Sequence, residues 1–222
     1  VNKPAGQPIL NAPTPVTWLV GLCVGLHLLR FVLPGRIEAL LVLEMAFIPA
    51  RFGVPGLWRT DVLGTVISPI AYTFLHGGWL HLLINMAMLL AFGAAVGRRM
   101  STVRFLLLYF LGGIAGAGAT LIFDPGARIP VLGASAAISA LVGAVAAMAL
   151  SPHRAAPRPF HDRRTAWSFI LIWVGLNLVF GLIPGEAFGA SGRIAWEAHL
   201  GGFFAGMILL PLLDPRKKPS PW

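Results

Sequence analysis

Six apolar runs divide this chain, and they leave it few ways to fold. They cover residues 16–33, 79–96, 105–123, 135–150, 166–184 and 195–213. Each approaches the ~20 residues that a helix needs to cross a bilayer. Within lipid, an isolated segment satisfies its own backbone polar groups only as a helix. The fold class that follows is all-α: a polytopic membrane protein with six transmembrane helices. The fourth run is short, so its helix starts a few residues ahead of Ser135 or sits partly recessed. Composition agrees, because only 11% of residues are charged and 57% are hydrophobic, whereas a soluble domain carries about 25% charged residues. The net charge of +9 does not indicate nucleic acid. The basic residues sit in short loops and tails, where the anionic membrane surface is their partner. The single cysteine, Cys23, excludes an intrachain disulfide and a zinc–cysteine site.

The first run is too long for a signal-peptide core of ~7–15 residues and is read as a retained helix. The organisation expected is a tail over residues 1–15, a six-helix core over 16–213 and a second tail over 214–222. Lys and Arg set the orientation, since cytoplasmic loops carry their excess. With the N-terminus inside, the inner segments hold eleven: Lys3, Arg98, Arg99, Arg104, Arg154, Arg158, Arg163, Arg164, Arg216, Lys217 and Lys218. The outer segments hold five: Arg36, Arg51, Arg59, Arg128 and Arg193, with Arg30 near the outer end of the first helix. Both ends are therefore expected in the cytoplasm. The long outer segment, residues 34–75, contains an apolar stretch over 37–48 broken by Glu38 and Glu44. It suits either an interfacial or an ordinary surface helix. Pro49, Pro55 and Pro69 are expected to break the segment into short pieces.

Polar residues inside the runs mark function by default. In this topology the second, fourth and sixth runs all descend from the outer face. His81 and Asn85 then lie in the first turns of the second helix, Ser135 opens the fourth, and His199 lies in the first turns of the sixth. All four fall at one depth. Small residues at four-residue spacing let helices approach closely. Ser135, Ser139, Gly143 and Ala147 form such a row, and Gly202 and Gly206 form another. Close approach lets a short serine side chain reach a histidine, the pairing of a nucleophile and its base. His81 and Asn85, one turn apart on one face, and the Ser135 amide are candidate oxyanion donors. His76 is expected nearby at the water boundary. No carboxylate is well placed to orient His199, so a dyad fits better than a triad. Taken singly, Gly-Ala-Ser in an apolar helix is ordinary packing, His27 is structural, and His153 and His161 are solvated loop residues. The joint placement carries the reading.

These residues resemble the rhomboid intramembrane serine proteases. The resemblance runs through Trp58-Arg59, Phe74-Leu75-His76-Gly77-Gly78-Trp79-Leu80-His81-Leu82-Leu83-Ile84-Asn85, Gly133-Ala134-Ser135 and Ala198-His199-Leu200-Gly201-Gly202 with Gly206. It implies Ser135 as nucleophile and His199 as general base, with His81, Asn85 and the Ser135 amide holding the oxyanion and His76 close by. It implies that Trp58 and Arg59 belong to the structural first loop. It also implies that the fifth helix is the mobile side where a substrate enters and that residues 185–193 cap the site. Two positions depart from the family pattern. Ala136 stands where a glycine usually follows the nucleophile. Ser139 stands where an aromatic ring usually packs on the histidine, so another contact must hold His199, Trp196 being one candidate.

The activity implied is acyl transfer to water within the membrane, with single-span membrane proteins as substrates and no metal or organic cofactor. The rivals are a rhomboid-like protein that binds membrane clients without cleaving them, a metal hydrolase using His76, His81 and His199, and a small transporter. His-Glu-x-x-His, the usual zinc-protease pattern, is absent. The polar groups also cluster toward one face rather than lining a path. The six-helix form suits a bacterial inner membrane. Substrate identity and oligomeric state are not legible.

Overall fold

The computed structural model describes residues 12–151, 162–183 and 194–214. The basic stretch with His153, Arg154, Arg158 and His161, the capping loop with Glu186 and Arg193, and the ends with Lys3, Arg216, Lys217 and Lys218 lie outside the described residues. Helix α1 spans Thr14–Val32. The segment over residues 34–75, the outer segment of the expected topology, then folds into α2 (Gly35–Met45), α3 (Ala50–Gly53), a single 3-10 turn (Leu57–Thr60) and α4 (Val62–Ala71). Helix α5 (Trp79–Met88) passes through a π turn (Leu89–Gly93) into α6 (Ala94–Gly97), making one continuous rod. Helices α7 (Thr102–Phe123), α8 (Ser135–Leu150), α9 (Arg163–Phe180) and α10 (Trp196–Leu213) complete the bundle. Each of the six apolar runs is helical over most of its described residues. Four of these helices, Thr14–Val32, Trp79–Gly97, Thr102–Phe123 and Trp196–Leu213, are long and apolar enough to cross a membrane. The protein is a helical membrane bundle.

Local chemistry sets the boundaries. The Asp162 side chain accepts from the Thr165 amide at 2.8 Å and from its hydroxyl at 2.5 Å, so α9 starts three residues before its apolar run. Asp61 caps α4 in the same way, accepting from Gly64 N at 2.9 Å. Pro49 and Pro55 fall between short elements, but Pro69 sits inside α4 rather than ending it. The turn that follows, Tyr72–Phe74, is 3-10. Arg51, only 5% exposed, braces the outer segment. It pairs with Asp61 and donates to the carbonyls of Leu43 and Ala46.

Helix α8 is the axis of the molecule. Thirteen of its sixteen residues are buried, which fits its alanine-rich sequence, because small side chains let neighbouring helices pack closely around it. Its short length has a physical consequence. At ~1.5 Å per residue it spans about 24 Å against a ~30 Å hydrocarbon core, so an end of the helix stops short of the interface. The expectation of an earlier start is not met: α8 begins at Ser135 itself. The recess is tolerable because neighbouring helices cover it.

Glycines decide how α7, α8 and α10 meet. A Cβ on Gly143 would strike the Phe203 carbonyl oxygen, one on Gly202 the Ala136 carbonyl oxygen, and one on Gly206 the Ala140 carbonyl oxygen. A Cβ on Gly112 would strike that of Ala140. At the opposite end from Ser135, Arg99 and Asp214 pair at 3.3 Å, joining the α6 and α10 termini.

Candidate active site

The start of α8 is fixed by the outer segment. Phe47 and Val131 exchange backbone hydrogen bonds at 2.9 and 2.8 Å, and Ala50 N donates to the Ala127 carbonyl at 2.9 Å. Gly133 N donates to the Tyr72 carbonyl at 3.0 Å. The Tyr72 hydroxyl, in turn, donates to the Gly113 carbonyl at 2.7 Å. The strip before Ser135 is thereby held by Phe47, Ala50 and Tyr72, and Tyr72 ties it to α7. Gly133 turns the chain at φ +125°, a conformation that favours glycine.

Ser135 then points across the seam between α8 and α10. Its Oγ lies 2.8 Å from His199 Nε2. The approach depends on the Gly202 contact just described, one turn along α10 from His199. Both side chains line a cavity of about 310 Å³ that also touches His81, Asn85, Gly133, Ala136, Phe180 and Ala198. The cavity wall is mostly apolar with a few polar groups, the usual character of a ligand site.

The structure distributes the expected site residues unevenly. His81 and Asn85 line the cavity, and Asn85 is 4% exposed. Asn85 Nδ2 donates to the His81 carbonyl at 3.0 Å, leaving its second N–H for another acceptor. His81 Nε2 faces Gly133 closely: a Cβ there would sit 2.8 Å from it. Ser135 is the first residue of α8, where a helix leaves its amides without internal partners. His76 departs from expectation. It is fully buried, not at a water boundary, and it does not line the cavity. It backs His81, with ring centroids 5.2 Å apart, and its carbonyl accepts from Arg30 at 2.7 Å. Burial, reinforced by His81, pushes the His76 imidazole down to about 3. Trp58 and Arg59 are exposed in the outer segment, stacked cation-over-ring at 5.2 Å. His27 is a packing residue, edge-on to Trp79. Among the described residues, no group of three or more His, Cys, Asp or Glu is arranged to hold a metal ion.

The two departures from the family pattern have physical answers. The Ala136 methyl is buried against Gly116, where a Cβ would lie 2.6 Å from it. The space for the extra methyl therefore comes from a glycine on α7. The ring absent at Ser139 is replaced by a polar contact from α9, a helix to which the sequence reading assigned no part in holding His199. Asn177 Oδ1 lies 2.8 Å from His199 Nδ1. Trp196 does not supply this contact. Its ring packs on Gly181 and, at 5.3 Å between centroids, on Phe123. A signal for Asn177 was present. It is the only asparagine besides Asn85 within the apolar runs, and such residues face the bundle.

A serine–histidine pair lining a cavity of a helical membrane bundle defines the class. A family model for the rhomboid domain matches residues 63–216. The chain belongs to the rhomboid family. It is 27% identical over 243 positions to RHOMBOID-like protein 5 of Arabidopsis thaliana, covering 96% of this chain and 74% of that protein. It is 35% identical over 152 positions to Rhomboid protease GluP of Bacillus subtilis, covering 68% of this chain and 26% of that protein. It is 27% identical over 235 positions to the uncharacterized protein Mb1372 of Mycobacterium bovis, covering 98% and 87%.

Proposed function

We propose that this protein is an intramembrane serine endopeptidase that cleaves transmembrane-helix substrates near the outer membrane face. The observation that carries the reading is the 2.8 Å contact between Ser135 Oγ and His199 Nε2 at the start of α8. A substrate helix unwinds locally beside the cavity, exposing a scissile carbonyl. His199 Nε2 takes the Ser135 proton as Oγ bonds to the carbonyl carbon. The oxyanion faces the Ser135 amide, His81 and Asn85, donors of the kind that stabilise tetrahedral intermediates. His199 returns the proton to the leaving amine, and the acyl-enzyme is hydrolysed by water from the outer side. Substrates need helix-destabilising residues, because unwinding in lipid leaves backbone groups unpaired. Both chain ends face the cytoplasm in this proposal, and a bacterial inner membrane is the setting. A protease among the similar proteins, the one named GluP, supports the reading.

The test is cleavage of a fluorescent single-span substrate by purified protein in liposomes. Ser135→Ala is expected to lower turnover by at least about 10⁴-fold, and His199→Ala comparably. Cleavage surviving Ser135→Ala would sink the mechanism. A folded wild type inert toward several helix-destabilised substrates favours a client-binding protein instead.

A further inference from the structure

A neutral imidazole serves as a base only if its proton sits on the correct nitrogen. For His199, Nε2 must be bare toward the Ser135 hydroxyl, so the proton must stay on Nδ1. Nothing on α8 or α10 is seen to enforce this. The neighbour that meets Nδ1 is Asn177, on α9.

We propose that Asn177 is a positioning residue that fixes the tautomer and rotation of His199 from a separate helix. The inference rests on the protease reading and names the means by which its base is held. The orientation of the amide follows from its own partners. Asn177 Nδ2 donates to the Trp173 carbonyl one turn back, at 2.8 Å. That bond assigns the nitrogen end and leaves Oδ1 facing His199 Nδ1 at 2.8 Å. An amide oxygen only accepts, so Nδ1 donates and keeps its proton. Nε2 is then the acceptor for Ser135 Oγ–H at 2.8 Å. The relay Trp173 carbonyl, Asn177, His199, Ser135 has one consistent direction of donation. During acylation the Ser135 proton moves to Nε2, the Oγ–carbon bond forms, and the imidazolium that results keeps donating from Nδ1 to the amide oxygen. Asn177 takes up no proton. It performs the orienting task that a carboxylate performs in a triad, without placing a charge in an apolar interior.

The site is built for this contact. Asn177 is 4% exposed and lies on the only buried face of α9, with Ala166 and Ile170. The rest of that helix presents Trp167, Leu171, Leu176 and Val179 outward. Since the acceptor rides on α9 and the base on α10, the orientation of His199 depends on how these two helices pack.

The experiment compares wild type, Asn177→Leu and Asn177→Asp as purified full chains. It uses the fluorescent single-span substrate together with labelling of Ser135 by a fluorophosphonate probe. The leucine has similar volume and no acceptor; the aspartate keeps one. The expected result for Asn177→Leu is kcat lower by about 10- to 100-fold, the loss of one hydrogen bond to a group that becomes charged. KM stays within about twofold of wild type, and Asn177→Asp regains most of the rate. Asn177→Ala takes the place of a leucine variant that does not fold. Equal rates for Asn177→Leu and wild type overturn the assignment. So does an equal loss in the leucine and aspartate variants, or a loss confined to KM. A wild type without any Ser135-dependent cleavage or labelling overturns the protease reading itself, a different result from a wild type that cleaves while Asn177→Leu keeps pace.

Discussion

A side chain at Gly133 would meet two obstacles at once. The backbone stands at φ +125°, which costs an L-residue roughly 1–2 kcal/mol or more, and the new Cβ would sit 2.8 Å from His81 Nε2. Gly133→Ala is therefore expected to displace Ser135 or His81 and lower turnover about 10- to 100-fold, since ångström misplacement is that costly. Steady-state cleavage of the single-span substrate checks it, and an unimpaired variant would show that the turn has slack. His76 acts differently, through stability. Its buried ring stays neutral down to about 3, against an ordinary value of 6.5. Between those values the unfolded chain binds a proton that the folded chain does not, so His76 makes stability fall as pH drops through that window. The thermal midpoints of wild type and His76→Gln, measured from pH 7.5 to 4.5, are expected to converge or cross toward the acid end. A constant difference across the range would exclude the effect.

At the scale of the element, the seam between α8 and α10 is set by backbone against backbone. Glycine is required there for space, not for conformational freedom. Gly206→Val would drive carbon into the Ala140 carbonyl and is expected to destabilise by about 1–3 kcal/mol or more, with the separated helices also parting Ser135 from His199. Gly175 on α9 offers the contrast. Nothing lies within 4 Å of a Cβ there, so Gly175→Ala should be neutral or stabilising by up to ~1 kcal/mol. Thermal unfolding in one detergent compares the two, and equal effects would mean that the seam yields. The same comparison explains why helix positions were legible while the join was not. Glycine rows at Gly202 and Gly206 announced close packing, but a row does not say which carbonyl it meets.

At the scale of the whole molecule, orientation is a question of charge. Eleven Lys and Arg on one side against five on the other favour cytoplasmic ends. Cys23 is the only cysteine and is buried, so a Cys23→Ala background can carry single reporters. Arg59→Cys is expected to react with a membrane-impermeant maleimide in intact cells, and Arg98→Cys only after permeabilisation. The reverse pattern would invert the topology and move the cavity to the cytoplasmic side. The outer segment is also a matter for the whole molecule. Its apolar stretch and prolines read locally as loose pieces, yet Arg51, Asp61, Tyr72 and the Phe47–Val131 bridge tie it into the frame that holds Ser135.

The sequence by itself determined the helical membrane class, the six apolar segments and the choice of Ser135, His199, His81 and Asn85, which line one cavity. Hydrophobicity and periodicity are local properties and can be read one segment at a time. Only the tertiary structure decided that α8 begins at Ser135 without an extra turn, that His76 is sealed behind His81, and that Gly116 makes room for the Ala136 methyl. It alone brought Asn177 to His199 across 22 positions of chain. Each of those outcomes depends on which faces of two helices meet. That is settled by the simultaneous packing of the bundle, which no single segment encodes.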